Sequence, residues 1–189
     1  ARFVNAHWLN PAHLMPLVEV SRSAATCPQV VERLLQLLKR IGKVPVVCNP
    51  VAGYIVPRIQ ALAMNEAARM VEEGVASAED IDTAVRIGFG LRFSVLGLLE
   101  FIDWGGGEIL YYASRYLSGA LAPRFESPQV IADNMHNGRN GLRDGQGFYD
   151  YRELDVEAYK QQRMGAFVQK LASSGLTPAY DGALGQPSE

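Results

Sequence analysis

The chain has 189 residues, 48% of them apolar, and 18 Lys and Arg stand against 20 Asp and Glu for a formal charge of −2. That length can bury a sizeable core and lies where one domain gives way to two, while the balanced charge excludes the basic excess expected of a nucleic-acid binder. No window reaches the roughly 18 to 20 apolar residues of a membrane helix, and Cys27 and Cys48 lack the paired spacing of a metal site or disulfide framework, so the expectation is a cytoplasmic protein with neither membrane nor metal partner.

In chain order, "RFVNAHW" (2–8) and "LMPLVEVS" (14–21) predict short strands. "CPQVVERLLQLLKRIG" predicts a helix opened by Pro28 and closed by Gly42, with Val30, Val31, Leu34, Leu35, Leu37, Leu38 and Ile41 forming one buried stripe. "VPVVC" (44–48) reads as a strand covered on both faces. Strand, strand, helix, strand is the tail end of an α/β sheet. Beyond Gly53 the periodicity becomes helical. "IVPRIQALAMNEAARMVEEG" is stopped by Gly74, and "SAEDIDTAVRIG" opens with a Ser77/Asp80 capping box and closes on Gly88. Helical stretches follow at 96–118, 127–137 and 154–173, with the "GGG" of 105–107 either breaking a helix or allowing a close backbone approach. The end of the chain, 174–189, is small, polar and rich in Pro and Gly, which predicts a flexible tail.

Two chemistry-bearing residues fall early. His7 precedes an Asn-Pro break, and Glu19 sits inside the apolar run "LVEV", where a carboxylate is costly unless paired. His13 reads as a loop or packing residue and His136 as part of a solvated loop. Glu100 and Asp103, three apart in "LLEFIDW", read as structural or interface groups, and "DGQGFYDY" (144–151) as a glycine turn that presents aromatics for packing.

The order "HWLNP…LMPLVEV", "IGKVPVV", "GYIVPRIQALAMNEAARMVEEGVASAEDIDTAVRIGFG", "GLRDGQGFYDY" resembles the L-3-hydroxyacyl-coenzyme A dehydrogenase family from residue 3 to about 152. No GxGxxG follows a strand in these residues, and "GFGLRF" lacks the third glycine. The resemblance therefore implies a mainly α chain corresponding to the C-terminal part of such an enzyme. Residues 1–52 would be the last strands and one helix of a Rossmann-like NAD-binding domain, and 53–173 an all-helical substrate and dimerisation domain making a homodimer. NAD would be the cofactor, held mostly outside this chain, and residues 1–189 would not catalyse alone.

The resemblance also implies roles. His7 would be the base that removes the hydroxyl proton during hydride transfer, and Glu19 the carboxylate that orients the imidazole and stabilises its charged form. Asn10, with Pro11, would form the turn ending the first strand, its side chain bonding local backbone and touching substrate and cofactor. Two positions depart from the family pattern. Pro57 stands where the family has a catalytic asparagine, removing a hydrogen-bond donor, although a proline suits the first turn of a helix. Arg92, in place of a proline, offers a planar fork suited to a carboxylate, with Phe93 and Trp104 as pocket walls; the alternative is a surface arginine. Three functions follow: a dehydrogenase of 3-hydroxyacyl-coenzyme A, a dehydrogenase of a small free hydroxy acid of the carnitine- or gulonate-dehydrogenase kind, or a non-catalytic helical dimerisation module.

Overall fold

A computed structural model describes residues 2–178, which fall into two compact units dividing between Ala78 and Glu79.

The first unit holds β1 (Asn5–Trp8), β2 (Leu17–Ser21), α1 (Pro28–Arg40), β3 (Val44–Cys48) and α2 (Val56–Glu72). Both leading strands are shorter than their apolar runs suggested. Pro16, with no N–H to give a ladder, stays outside β2 and uses its carbonyl to accept from Val44 N at 2.9 Å. The sheet order is β1-β2-β3; β1 runs antiparallel to β2, and β2 parallel to β3 with α1 as the crossover between them. Alternation in β2 sends Val18 and Val20 toward Val31 and Leu38 of α1, and Glu19 to the opposite face.

Two expectations for this unit are corrected. Leu37 and Ile41 do not join the buried stripe of α1 and are 53% and 56% exposed. The stripe follows 31, 34, 35 and 38, and Leu37 lies about 100° around the helix from Leu38. Nor is β3 covered on both faces, since Val44, Val46 and Val47 are exposed at the end of the strand order. The turn into α2 uses two consecutive left-handed residues, Gly53 (φ 78°) and Tyr54 (φ 46°). After Glu72 the chain leaves α2 through Gly74, also left-handed, as the sequence predicts.

The second unit is helical. Ala78 begins α3 (Ala78–Thr83), which places Ser77 just before it as expected, but Gly88 does not end the helix. The chain instead widens into a π-helical segment, Ala84–Gly90, and returns to α-geometry in α4 (Leu91–Phe93). Gly90 fits this segment because a Cβ there would meet the Val85 carbonyl at 3.1 Å. The stretch expected as one helix over 96–118 is two, α5 (Leu98–Gly105) and α6 (Gly107–Ala120), separated by Gly106 at φ 106°. They are followed by α7 (Gln129–His136) and α8 (Val156–Ser173), whose N-cap Asp155 accepts from Ala158 N at 3.0 Å. His136 is thus the last residue of α7 rather than a loop residue, though it is exposed. Most of the expected tail, residues 179–189, lies outside the described residues.

Asp103 organises this unit. It is 2% exposed, and its carboxylate accepts from Phe148 N (3.0 Å), Tyr149 N (2.9 Å) and the Tyr151 hydroxyl (3.1 Å). The glycine turn of 144–151 is therefore wrapped on a buried charge, and burial against that charge pushes the Tyr151 hydroxyl far above its ordinary pKa. A Cβ on Gly147 would stand 2.1 Å from Asp103 Oδ1. Gly147→Ala should accordingly lose about 1–3 kcal/mol in a urea melt. Gly119→Ala, whose new Cβ meets nothing within 4 Å inside α6, should be neutral or slightly stabilising. Equal melts for the two variants would contradict this account of the turn.

Candidate functional site

The register of β1 on β2 sets His7 directly opposite Glu19. His7 Nδ1 lies 2.8 Å from Glu19 Oε2, and Glu19 itself is fully buried. Its other oxygen, Oε1, accepts from Ile55 N and Val56 N, each at 2.9 Å. These are the first N–H groups of α2, whose N-cap Ile55 has no side-chain acceptor of its own. Glu19 therefore caps a helix whose N-cap lies 36 residues downstream and receives the positive end of its dipole. Burial alone would raise the Glu19 carboxyl, but the hydrogen bonds from Val56 N, His7 and Ile55 N outweigh it and hold the group below its ordinary range. An ionised Glu19 fixes the proton on Nδ1 and leaves the Nε2 lone pair available, an assignment that follows from the hydrogen-bond network.

His7, with its side chain 31% exposed, opens on a cleft of about 290 Å³ lined also by Trp8, Leu9, Asn10, Met15, Pro57 and Gln60. The rim from Leu9 to Pro16 turns at a cis Asn10–Pro11 bond. Asn10 does not bond the local backbone as expected, and among the described residues its exposed side chain has no hydrogen-bond partner. The turn is held instead by the Pro11 carbonyl, which accepts from Leu14 N and Met15 N at 2.9 Å, and by Lys43 Nζ, which donates to Ala12 O (2.7 Å) and Met15 O (2.9 Å). Pro57 occupies the first turn of α2 and contributes no donor to the cleft. Gln60, one turn further on, lines the same cleft with a side-chain amide unpartnered among the described residues.

The other expected site residues lie in the second unit. The Arg92 guanidinium is 4.9 Å from the centre of the Phe101 ring, and Phe93 packs edge-on against Phe89 (4.5 Å) and Phe101 (5.5 Å). Arg92 is exposed, so stacking leaves its donor edge open. Trp104 packs in a different aromatic group, 5.9 Å from Tyr159. Glu100 is a helix and ion-pair residue, accepting from Gly97 N at 2.9 Å, from the Tyr159 hydroxyl, and from Arg163 at 2.7 Å. Sequence reasoning missed Tyr54, Gln60 and Lys43 at the His7 site. The available signal was a helix, "YIVPRIQ", with no Ser, Thr, Asp or Asn to cap it.

A small α/β sheet unit followed by a helical unit makes a two-part chain. The chain belongs to the 3-hydroxyacyl-CoA dehydrogenase family: residues 53–151 match the family model for the 3-hydroxyacyl-CoA dehydrogenase C-terminal domain, and residues 1–51 that for the NAD binding domain. A relative from Mesorhizobium japonicum, 5-formyl-3-hydroxy-2-methylpyridine 4-carboxylate 5-dehydrogenase, is 31% identical over 86% of this chain and 53% of its own length. The mitochondrial hydroxyacyl-coenzyme A dehydrogenase of Sus scrofa is 32% identical over 80% of this chain and 48% of its own. A crystal structure of a 3-hydroxyacyl-CoA dehydrogenase from Archaeoglobus fulgidus superposes with a TM-score of 0.78 and 34% identity, covering 92% of this chain and 60% of that one. The chain thus spans about half the length of these curated relatives. Among the described residues no helix is long and apolar enough to cross a membrane.

Proposed function

We propose that the protein is an NAD-linked oxidoreductase that interconverts the 3-hydroxy and 3-oxo groups of an acyl-coenzyme A, with His7 as the base. The observation that carries this reading is the buried Glu19, held ionised and paired to Nδ1, which leaves Nε2 free on a ring that lines the cleft. Nε2 takes the hydroxyl proton, and Glu19 stabilises the imidazolium without itself being protonated. NAD, when bound, supplies the hydride acceptor. The unpartnered amides of Asn10 and Gln60 fit the polar end of such a ligand, whereas no phosphate-cradling glycine motif lies in these residues. Gln60 offers the substrate oxygen a donor in place of the one missing at Pro57.

The reading includes a cytoplasmic homodimer formed through the helical part. Leu62 and Met64 on α2, 71% and 70% exposed, support a second copy covering that helix. Formation of NADH by the full-length gene product, with a panel of 3-hydroxyacyl thioesters and free hydroxy acids, tests the activity. Its persistence in His7→Gln would remove the assigned base.

A second reading, oxidation of a small free hydroxy acid, is favoured by the Mesorhizobium relative, whose name specifies a carboxylate-bearing substrate, and by Arg92 with its open donor edge. Under it, Arg92→Met should raise KM for a free hydroxy acid about tenfold or more and spare a thioester. Equal effects on both substrates would discard the clamp.

A further inference from the structure

The hydrogen bond from Nδ1 to Glu19 fixes one vertex of the His7 ring but not its plane, so the imidazole could still roll about that contact and swing Nε2 away from the cleft. Tyr54 opposes that motion. Its ring lies almost parallel to His7, with 4.7 Å between centroids and 8° between planes. Tyr54 is in turn held from both sides. Its backbone is left-handed at φ 46°, a conformation that an aromatic residue keeps only where its surroundings determine it. Its hydroxyl accepts from Asn5 Nδ2, and Asn5 lies two residues before His7 on β1 and so on the same face of that strand. The phenol therefore spans β1 from Asn5 to His7, while Tyr54 itself is not among the residues lining the cleft.

We infer that Tyr54 is a positioning residue: stacked on His7 and anchored by Asn5, it sets the plane of the imidazole so that Nε2 points into the cleft. The inference rests on His7 being the base. Tyr54 acts through that ring and not on the substrate, so its loss should fall on kcat rather than on KM.

In the full-length protein, Tyr54→Leu should lower kcat about 10- to 100-fold, the scale at which small misplacements act, with KM within about threefold of wild type. Tyr54→Phe keeps the ring and loses only the Asn5 anchor, so it should recover kcat to within about threefold of wild type. A merely structural residue would move the melting temperature and leave kcat per folded molecule as it was. Wild-type kcat in Tyr54→Leu, or Tyr54→Phe no better than Tyr54→Leu, overturns the inference. Should Tyr54→Leu not fold, Tyr54→Gly decides, because glycine tolerates the left-handed backbone and deletes the ring: a lowered kcat supports the stack and wild-type kcat overturns it. His7→Gln separates the two claims. An active His7→Gln removes the base and this inference together, whereas an inactive one beside wild-type kcat in Tyr54→Leu removes the positioning role alone.

Discussion

Replacing His7 by glutamine in the full-length protein should lower kcat about 10³-fold, within the roughly 10²–10⁴ that a positioned base contributes, and leave KM within a few-fold of wild type. Glutamine is a demanding substitute because it can still donate to Glu19 Oε2, so the buried carboxylate keeps a partner and its bonds to Ile55 N and Val56 N are undisturbed. The melting temperature should therefore stay near that of the wild type. Initial rates of NADH formation give kcat and KM, and a thermal melt checks the fold. A kcat within tenfold of wild type would mean that another group removes the proton.

Glu19→Gln should cost at least as much in rate for a different reason. The amide oxygen can still accept from Ile55 N and Val56 N, but the amide nitrogen then faces His7 Nδ1 as a donor. That forces the ring proton onto Nε2, the tautomer that cannot act as a base, and such a reversal costs on the order of 10⁴ where a carboxylate–histidine pair has been altered in this way. Glu19→Ala should add instability of about 2–3 kcal/mol, because two N–H groups of α2 lose their acceptor. Acid behaviour gives an independent check. The folded-state carboxyl lies below its ordinary value of 4.5, so its stabilising contribution is complete above that pH and is lost as pH falls through the lowered value. Glu19→Gln should flatten this part of the stability curve in urea melts run between about pH 5 and 3. An unchanged acid slope would show that the charge on Glu19 does not support the fold.

The strands, the crossover helix and the helical second half were legible because their periodicities are local. The pairing of His7 with Glu19 was legible through the family resemblance, and the antiparallel register supplies its geometry. The second use of Glu19 was not, since the acceptor and its backbone donors are separated by 36 and 37 residues and the only trace in the sequence is a cap that is absent. Tyr54 was hidden because a left-handed aromatic after glycine looks like ordinary turn chemistry until its ring is seen against the histidine. The π segment escaped because Gly88 reads as a stop, and seven residues are too few to reveal a wider helical period. Exposure of β3 follows from strand order, which an apolar run does not encode.

The carboxylate shared between His7 and the first turn of α2 bears on how such proteins can be taken apart and recombined. The change from sheet to helical periodicity near Gly53 invites a splice at that point, yet a chimera joined there would take Ile55 and Val56 from one parent and Glu19 from the other. Unless the incoming turn offered the same two N–H groups at the same place, a fully buried anion would be stranded beside the histidine it orients. A junction between Ala78 and Glu79 carries the whole of α2 with the sheet and keeps that three-way connection inside one inherited block.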